Sequence, residues 1–111
     1  MNKNARKPAT LEEAMECFKE LLSTEEQVEF IRMAEDDLGK LHHFFGMWLR
    51  NNWGLWDENS AMCKHMKSLG FLHADDMSGS LIKEYWRRTH GLPSKLAEEI
   101  QYYKEYWAKN K

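Results

Sequence analysis

Leu11, Ala14, Met15, Phe18, Leu21 and Leu22 recur at three- and four-residue steps, the spacing that keeps side chains on one face of a helix. Thr10-Leu11-Glu12-Glu13 precedes them as a capping box, which predicts a start at Thr10, Glu13 reaching back, and an end near Leu22. Ser23-Thr24-Glu25-Glu26 repeats the box and predicts a short second helix with Val28, Ile31 and Met33 facing inward. So tight a junction makes the pair an αα-hairpin. A third helix is expected near 36–52, its main stripe formed by Leu38, Leu41, Phe45, Trp48 and Leu49. Phe44 and Met47 lie off that stripe, so the segment is apolar over much of its circumference and reads as the central helix. Gly39 and Gly46 share one face and are expected to admit another backbone closely. Asn51, Asn52 and Gly54 end the helix.

After the tight apolar stretch 53–58, Asn59 or Ser60 caps a fourth helix that runs to Leu69 and stops at Gly70. Asp75 is the expected N-cap of a fifth helix, about 75–89, carrying Met77, Leu81, Ile82, Tyr85 and Trp86. Gly91 and Pro93 break it. Ser94 caps a last helix, 94–109, with Leu96, Ile100, Tyr103 and Trp107 on one side. Residues 1–9 are polar and basic and read as a flexible arm. Residues 10–111 read as a single helical domain without internal repeats.

Composition agrees with that pattern. One valine, three isoleucines and three threonines cannot furnish the pleated faces of a sheet, whereas twelve leucines, eight alanines and seven methionines favour helices. The fold class is therefore all-α, a compact single-domain bundle of about five to six short helices. At 111 residues the chain is long enough for one core. Two cysteines, Cys17 and Cys63, lack the spacing of a disulfide framework or a metal site and read as buried thiols of a reducing cytoplasm. No apolar run is long enough to span a membrane, and none follows the basic start as a secretory signal would require. A net charge of −2 gives no global pull toward nucleic acid or membrane.

The run Gly46-Met47-Trp48-Leu49-Arg50-Asn51-Asn52-Trp53-Gly54-Leu55-Trp56 resembles the centre of an uncharacterised family of small bacterial helical domains, a domain of unknown function. Leu11-Glu12-Glu13-Ala14 upstream, and His73-Ala74-Asp75-Asp76 with Ser78 downstream, are similar too, although that family often has proline where Ala74 stands. The likeness spans roughly 8–88, with the last helix as an extension. It implies one helical domain, no reaction and no cofactor, and it singles out Arg50, Asn51, Asn52, His73, Asp75 and Asp76.

Those residues admit two readings. His42, His43, His73, Asp75 and Asp76 are metal-ligand types, but neighbouring histidines on a helix diverge by about 100° and no HExxH or ExxH pair occurs. The structural reading is preferred: Asp75 and Asp76 serve a helix start, the asparagines close another helix, and Arg50 pairs with a carboxylate. No nucleophile motif or phosphate loop is present, and Cys63 and His65 diverge on their helix, so no catalytic residue, cofactor or metal is assigned.

Two surfaces remain as candidates for binding. Residues 11–37 hold ten acids against two bases, a net −8, and Glu12, Glu16, Glu20, Glu25 and Glu29 are expected to face a basic partner. In the last helix Tyr102 and Tyr106 share one stripe, Tyr103 and Trp107 the next, with Lys104 among them. That tail suits a protein interface or, with Lys95, Lys109 and Lys111, stacking on single-stranded bases. The expectation is a non-enzymatic cytoplasmic module that binds another protein, as adaptor or stoichiometric inhibitor. Nucleic-acid binding through the C-terminal third is the alternative.

Overall fold

Three of the helices are started by a side chain that satisfies one of their free N–H groups, as the computed structural model, which describes residues 1, 2 and 4–110, shows directly. Thr10 Oγ1 accepts from Glu13 N–H and opens α1, Leu11–Leu21. Glu13 reaches one residue further back than a capping box requires, accepting from Ala9 N–H at 3.0 Å. Ser23 and Glu26 form the full reciprocal box that opens α2, Thr24–Arg32. Ser60 opens α4, Ala61–Leu69. α5 is Ala74–Thr89 and α6 is Leu96–Lys109. Ser94 Oγ accepts from Leu96 N–H just before α6, whose cap position is Lys95.

Four expectations need correction. First, 36–52 is not one α-helix: it is a 3₁₀ stretch Glu35–Leu41, a π-helical turn His42–Gly46, and then α3, Met47–Asn52. Second, that segment is not the centre. α5 is, burying most of its length from Ala74 to Arg87 and packing against α1, α2, α3, the 3₁₀ stretch and the π turn. Small residues at Ser78 and Ser80 let it sit that deep. Third, Val28 and Ile31 face outward, and Phe30 is the buried residue of α2. Fourth, Asp75 is not an N-cap. His73 holds that position without a capping bond, and Asp75 is the second residue of the helix.

The core is organised around Phe18, which is fully buried. Its ring stacks on Tyr85 at 4.7 Å and meets Trp53 and Phe45 edge-on at 5.0 and 5.8 Å, joining α1, α5, the end of α3 and the π turn. Tyr85 OH donates to Gln27 Oε1, and Gln27 Nε2 donates to the Phe18 carbonyl near the end of α1. Trp86 Nε1 donates to the Met33 carbonyl beyond α2. The hairpin is thus bonded to α5 through its helix-end carbonyls. Cys17 and Cys63 are free and buried, and burial pushes both thiols above their usual range. The first residues lie along the hairpin: Asn2 N–H donates to the Leu21 carbonyl and Pro8 is buried. Among the described residues no helix is long and apolar enough to cross a membrane.

Gly54 closes α3. It sits at φ +71°, while Leu55 N–H returns to the Arg50 carbonyl, the six-to-one bond of a Schellman turn. A Cβ at Gly54 would stand 2.8 Å from Ser60 Cβ, so both conformation and space demand glycine.

Arg87 is buried and donates twice to Glu35, at 2.9 and 2.7 Å. The guanidinium holds the Glu35 carboxyl below the usual carboxylate range, and Arg88 does the same to Glu12. The folded chain therefore binds these protons less tightly than the unfolded chain. Their contribution is full above the unfolded value, about 4.3, and is lost as pH falls through the folded values. Thermal melts from pH 7 to 3 should show Tm falling below about pH 4.3. Glu35→Gln should cost roughly 1–3 kcal/mol at pH 7 and flatten that fall; an unchanged profile would show that the pair contributes nothing.

Candidate functional site

Arg50 is 3% exposed, so its charge has to be answered inside the protein. Nη1 donates to Ser78 Oγ at 2.9 Å, and Nη2 donates to the His42 carbonyl at 3.1 Å. Nη1 also stands 3.4 Å from His42 Nδ1. Nε lies 3.4 Å from Asp75 Oδ1, an ion-pair contact without a formed hydrogen bond, so Nε is the orphaned atom of the set. Trp56 lies against the guanidinium, its ring centre 5.8 Å away. The π turn explains itself here: a widened turn releases carbonyls from the helical ladder, and Arg50 takes one of them. Gly46 makes the space, since a Cβ there would meet Arg50 Nη1 at 3.0 Å. The expected close approach at Gly46 is thus by side chains, while Gly39 faces open space.

The six residues singled out by sequence divide into three groups. Arg50 and Asp75 come together, joined by His42 and Ser78, whose roles sequence reasoning missed. The available signal was the spacing of Ser78, which follows Asp75 by three and so shares its side of α5. Asn51 and Asn52 face solvent instead. Asn52 Nδ2 donates to the Trp48 carbonyl and Asn51 Oδ1 accepts from Trp56 Nε1. His73 and Asp76 turn toward α6: Trp107 Nε1 donates to Asp76 Oδ2 at 2.8 Å, and its ring lies 3.7 Å from that of His73. Burial pushes the Asp76 carboxyl above its usual range, and the indole bond opposes that shift. Trp107 therefore belongs to an internal contact, while Tyr102, Tyr106 and Lys104 are exposed.

An apolar groove of about 840 Å³ opens between α2 and the π turn with α3. Phe30, Met33, Leu41 and Phe45 line it, with Trp48 on its wall. Phe44 and Met47 stand at its edge, Phe44 85% exposed, although sequence placed both in a central helix. They point outward because the opposite side of this segment is occupied by Leu49 and Arg50 against α5. Glu26 and Glu29 form the α2 rim, and Asn51 and Asn52 the far rim.

Glu12, Glu16, Glu20, Glu25 and Glu29, the five hairpin glutamates expected to face a partner, are all exposed. Glu12 is bonded by Arg88, while Glu16 pairs with Lys19 and Glu20 with Arg6. Among the described residues no cation pairs with Glu25 or Glu29, of which Glu29 lines the groove.

A family model described as a domain of unknown function, DUF6794, matches residues 7–89. The chain belongs to this family. No curated protein and no solved structure matches it. The DUF6794 segment runs from just before α1 to the last residue of α5, so it contains the whole Arg50 network and all of the groove's lining except Met1. α6 lies outside it.

Removing Arg50 should be costly. Arg50→Ala leaves Ser78 Oγ and the His42 carbonyl without their donor, while Asp75, half exposed, returns to water, and it should destabilise by about 1–3 kcal/mol in urea melts. Arg50→Lys should recover only part, because one ammonium cannot span three partners. A parent-like melt for Arg50→Ala would mean that the network does not stabilise the fold.

Proposed function

We propose that this DUF6794 domain is a non-enzymatic module that binds another protein in the cytoplasm, as an adaptor or stoichiometric inhibitor. The observation that carries the reading is the open groove with Phe44 standing exposed at its edge. A large aromatic beside other apolar side chains is costly to keep in water, and such patches mark binding surfaces. The rim supports one kind of occupant. With Glu29 unpaired on the α2 rim and Glu25 exposed one turn before it, an apolar segment flanked by lysine or arginine is favoured, and the charge speeds its encounter; Glu26, also on the rim, is already paired with the Met1 ammonium. Catalysis is not favoured, because Arg50, His42, Ser78, Asp75 and Asp76 are all engaged with one another or with α6.

A second reading, nucleic-acid binding, draws support from Tyr102 and Tyr106, exposed beside Lys104 on α6. Its signature would be affinity for single-stranded oligonucleotides that falls steeply with salt.

A photo-crosslinking residue in place of Met47 should capture a protein from the source cell, while the same residue at Tyr102 should not. With that protein purified, Phe44→Asp should weaken binding at least tenfold, the loss of one central anchor, while leaving the melt close to the parent's. Glu25→Lys with Glu29→Lys should slow association and flatten its salt dependence. Capture only from Tyr102, or full affinity in Phe44→Asp, would overturn the groove as the site.

A further inference from the structure

α6 is attached to the rest of the molecule in an unusual way. No residue of this 14-residue helix is buried, yet one stripe of it is bonded at both ends to the DUF6794 segment. Glu99 Oε2 pairs with Lys83 Nζ at 2.9 Å, and two turns later Trp107 reaches Asp76 and His73. Between them Ile100 fits over Gly70, where a Cβ would stand 2.8 Å from Ile100 Cγ2. The seat is otherwise incompletely filled. A cavity of about 520 Å³ remains between α6 and the 3₁₀ stretch, walled by Tyr103 and Glu99 on one side and Asp75, Ser78 and Gly79 on the other.

We propose that this face of α5 and the α4–α5 turn is a docking seat for an amphipathic helix carrying an acidic residue two turns before a tryptophan, and that α6 is its tethered, exchangeable occupant. The seat supplies complementary chemistry for each element of that pattern. Lys83 takes the carboxylate, Gly70 the branched aliphatic, His73 the indole face and Asp76 the indole N–H. Docking covers the Asp76 carboxylate, and Trp107 is the side-chain donor it receives in exchange for water. Burial raises that carboxyl's affinity for a proton, the mark of a charge held at some cost. When α6 leaves, Asp76 recovers its water, so departure does not strand a buried charge. The linker Gly91–Lys95 is exposed and turns at Gly91, φ +66°, but the Pro93 carbonyl accepts from Arg87 Nε and Ser94 Oγ donates to Glu84 Oε1, each at 2.7 Å, so the tether is fixed to α5 as far as Ser94 and the helix swings from Lys95. Such a tether gives α6 an effective concentration of order millimolar at its own seat. A partner helix has to exceed that, and α6 thereby sets the threshold for binding on this face. This seat is separate from the groove and does not depend on it.

The test uses the full chain and a labelled peptide with the sequence of residues 94–110. Amide hydrogen exchange of the intact chain should show α6 exchanging at least a hundredfold faster than the middle of α5. Trp107→Ala should loosen α6 further, leave the exchange of α1–α5 unchanged, and bind the peptide saturably. The unsubstituted chain, its seat occupied, should bind at least tenfold more weakly. Adding Asp76→Ala to Trp107→Ala should weaken peptide binding at least tenfold. Trp107→Phe keeps the stack on His73 but lacks the N–H, and should give the same ranking if Trp107→Ala disturbs the fold. Protection of α6 equal to that of α5 would overturn the proposal. So would no peptide binding by either Trp107 variant, or equal binding to the parent and variant chains.

Discussion

The buried guanidinium of Arg50 is the constraint around which this end of the molecule is arranged. A charge removed from water needs several partners at once, and no single element of so small a domain can supply them. The π turn contributes the His42 carbonyl, α5 contributes Ser78 and Asp75, and Gly46 contributes the absence of a side chain. Each of these is a local departure from an ideal helix. A glycine in a helix costs about 1 kcal/mol, and a widened turn gives up regular bonds. Together they are stable because the alternative, an unanswered buried charge, costs more.

Seating α5 at the centre follows from the same arrangement. Its residues facing Arg50 are small or polar, and the next turns carry Leu81, Ile82 and Tyr85 into the core against Phe18. One side of the 47–52 helix is then committed to α5. The remaining apolar side chains, Phe44 and Met47 among them, have nothing of this chain left to cover them. The groove is thus a consequence of packing: the segment is apolar on more sides than a six-helix chain can bury. That surplus, beside an acidic helix, underlies the reading of the molecule as a protein-binding module.

The far face shows the opposite situation. There the DUF6794 segment presents polar groups, His73, Asp76 and Lys83, and α6 answers them with Trp107 and Glu99 while burying nothing completely. Leu96, Ile100 and Tyr103 pack half-buried against the core beside those polar contacts. The family-matched segment ends at Thr89, and the helix beyond it buries no residue completely, which is the division on which the proposed exchange of α6 rests.

Much of this was legible in sequence, and the division has a physical reason. Caps and periodicity act within four residues, so Thr10, Ser23 and Ser60 each announced a helix start, and the poverty of β-branched residues excluded a sheet. Leu96, Ile100, Tyr103 and Trp107 were read as one side of a helix, and that side is the one that meets the rest of the chain. Asp75, read as a cap, lies inside the first turn of α5 instead, where its carboxylate stands 3.4 Å from Arg50 Nε. Phe44, Met47, Val28 and Ile31 were read as core, because hydropathy reports what a residue prefers and not whether the fold has room for it. The π turn and the pairing of Arg50 with Ser78 depend on residues twenty-eight apart meeting in space. The sequence by itself determined which segments are helical, where the capped ones begin and which of their side chains are apolar. Which of those apolar faces are covered, and which polar groups meet, was decided only by tertiary packing, since burial is a competition among all elements for one limited interior.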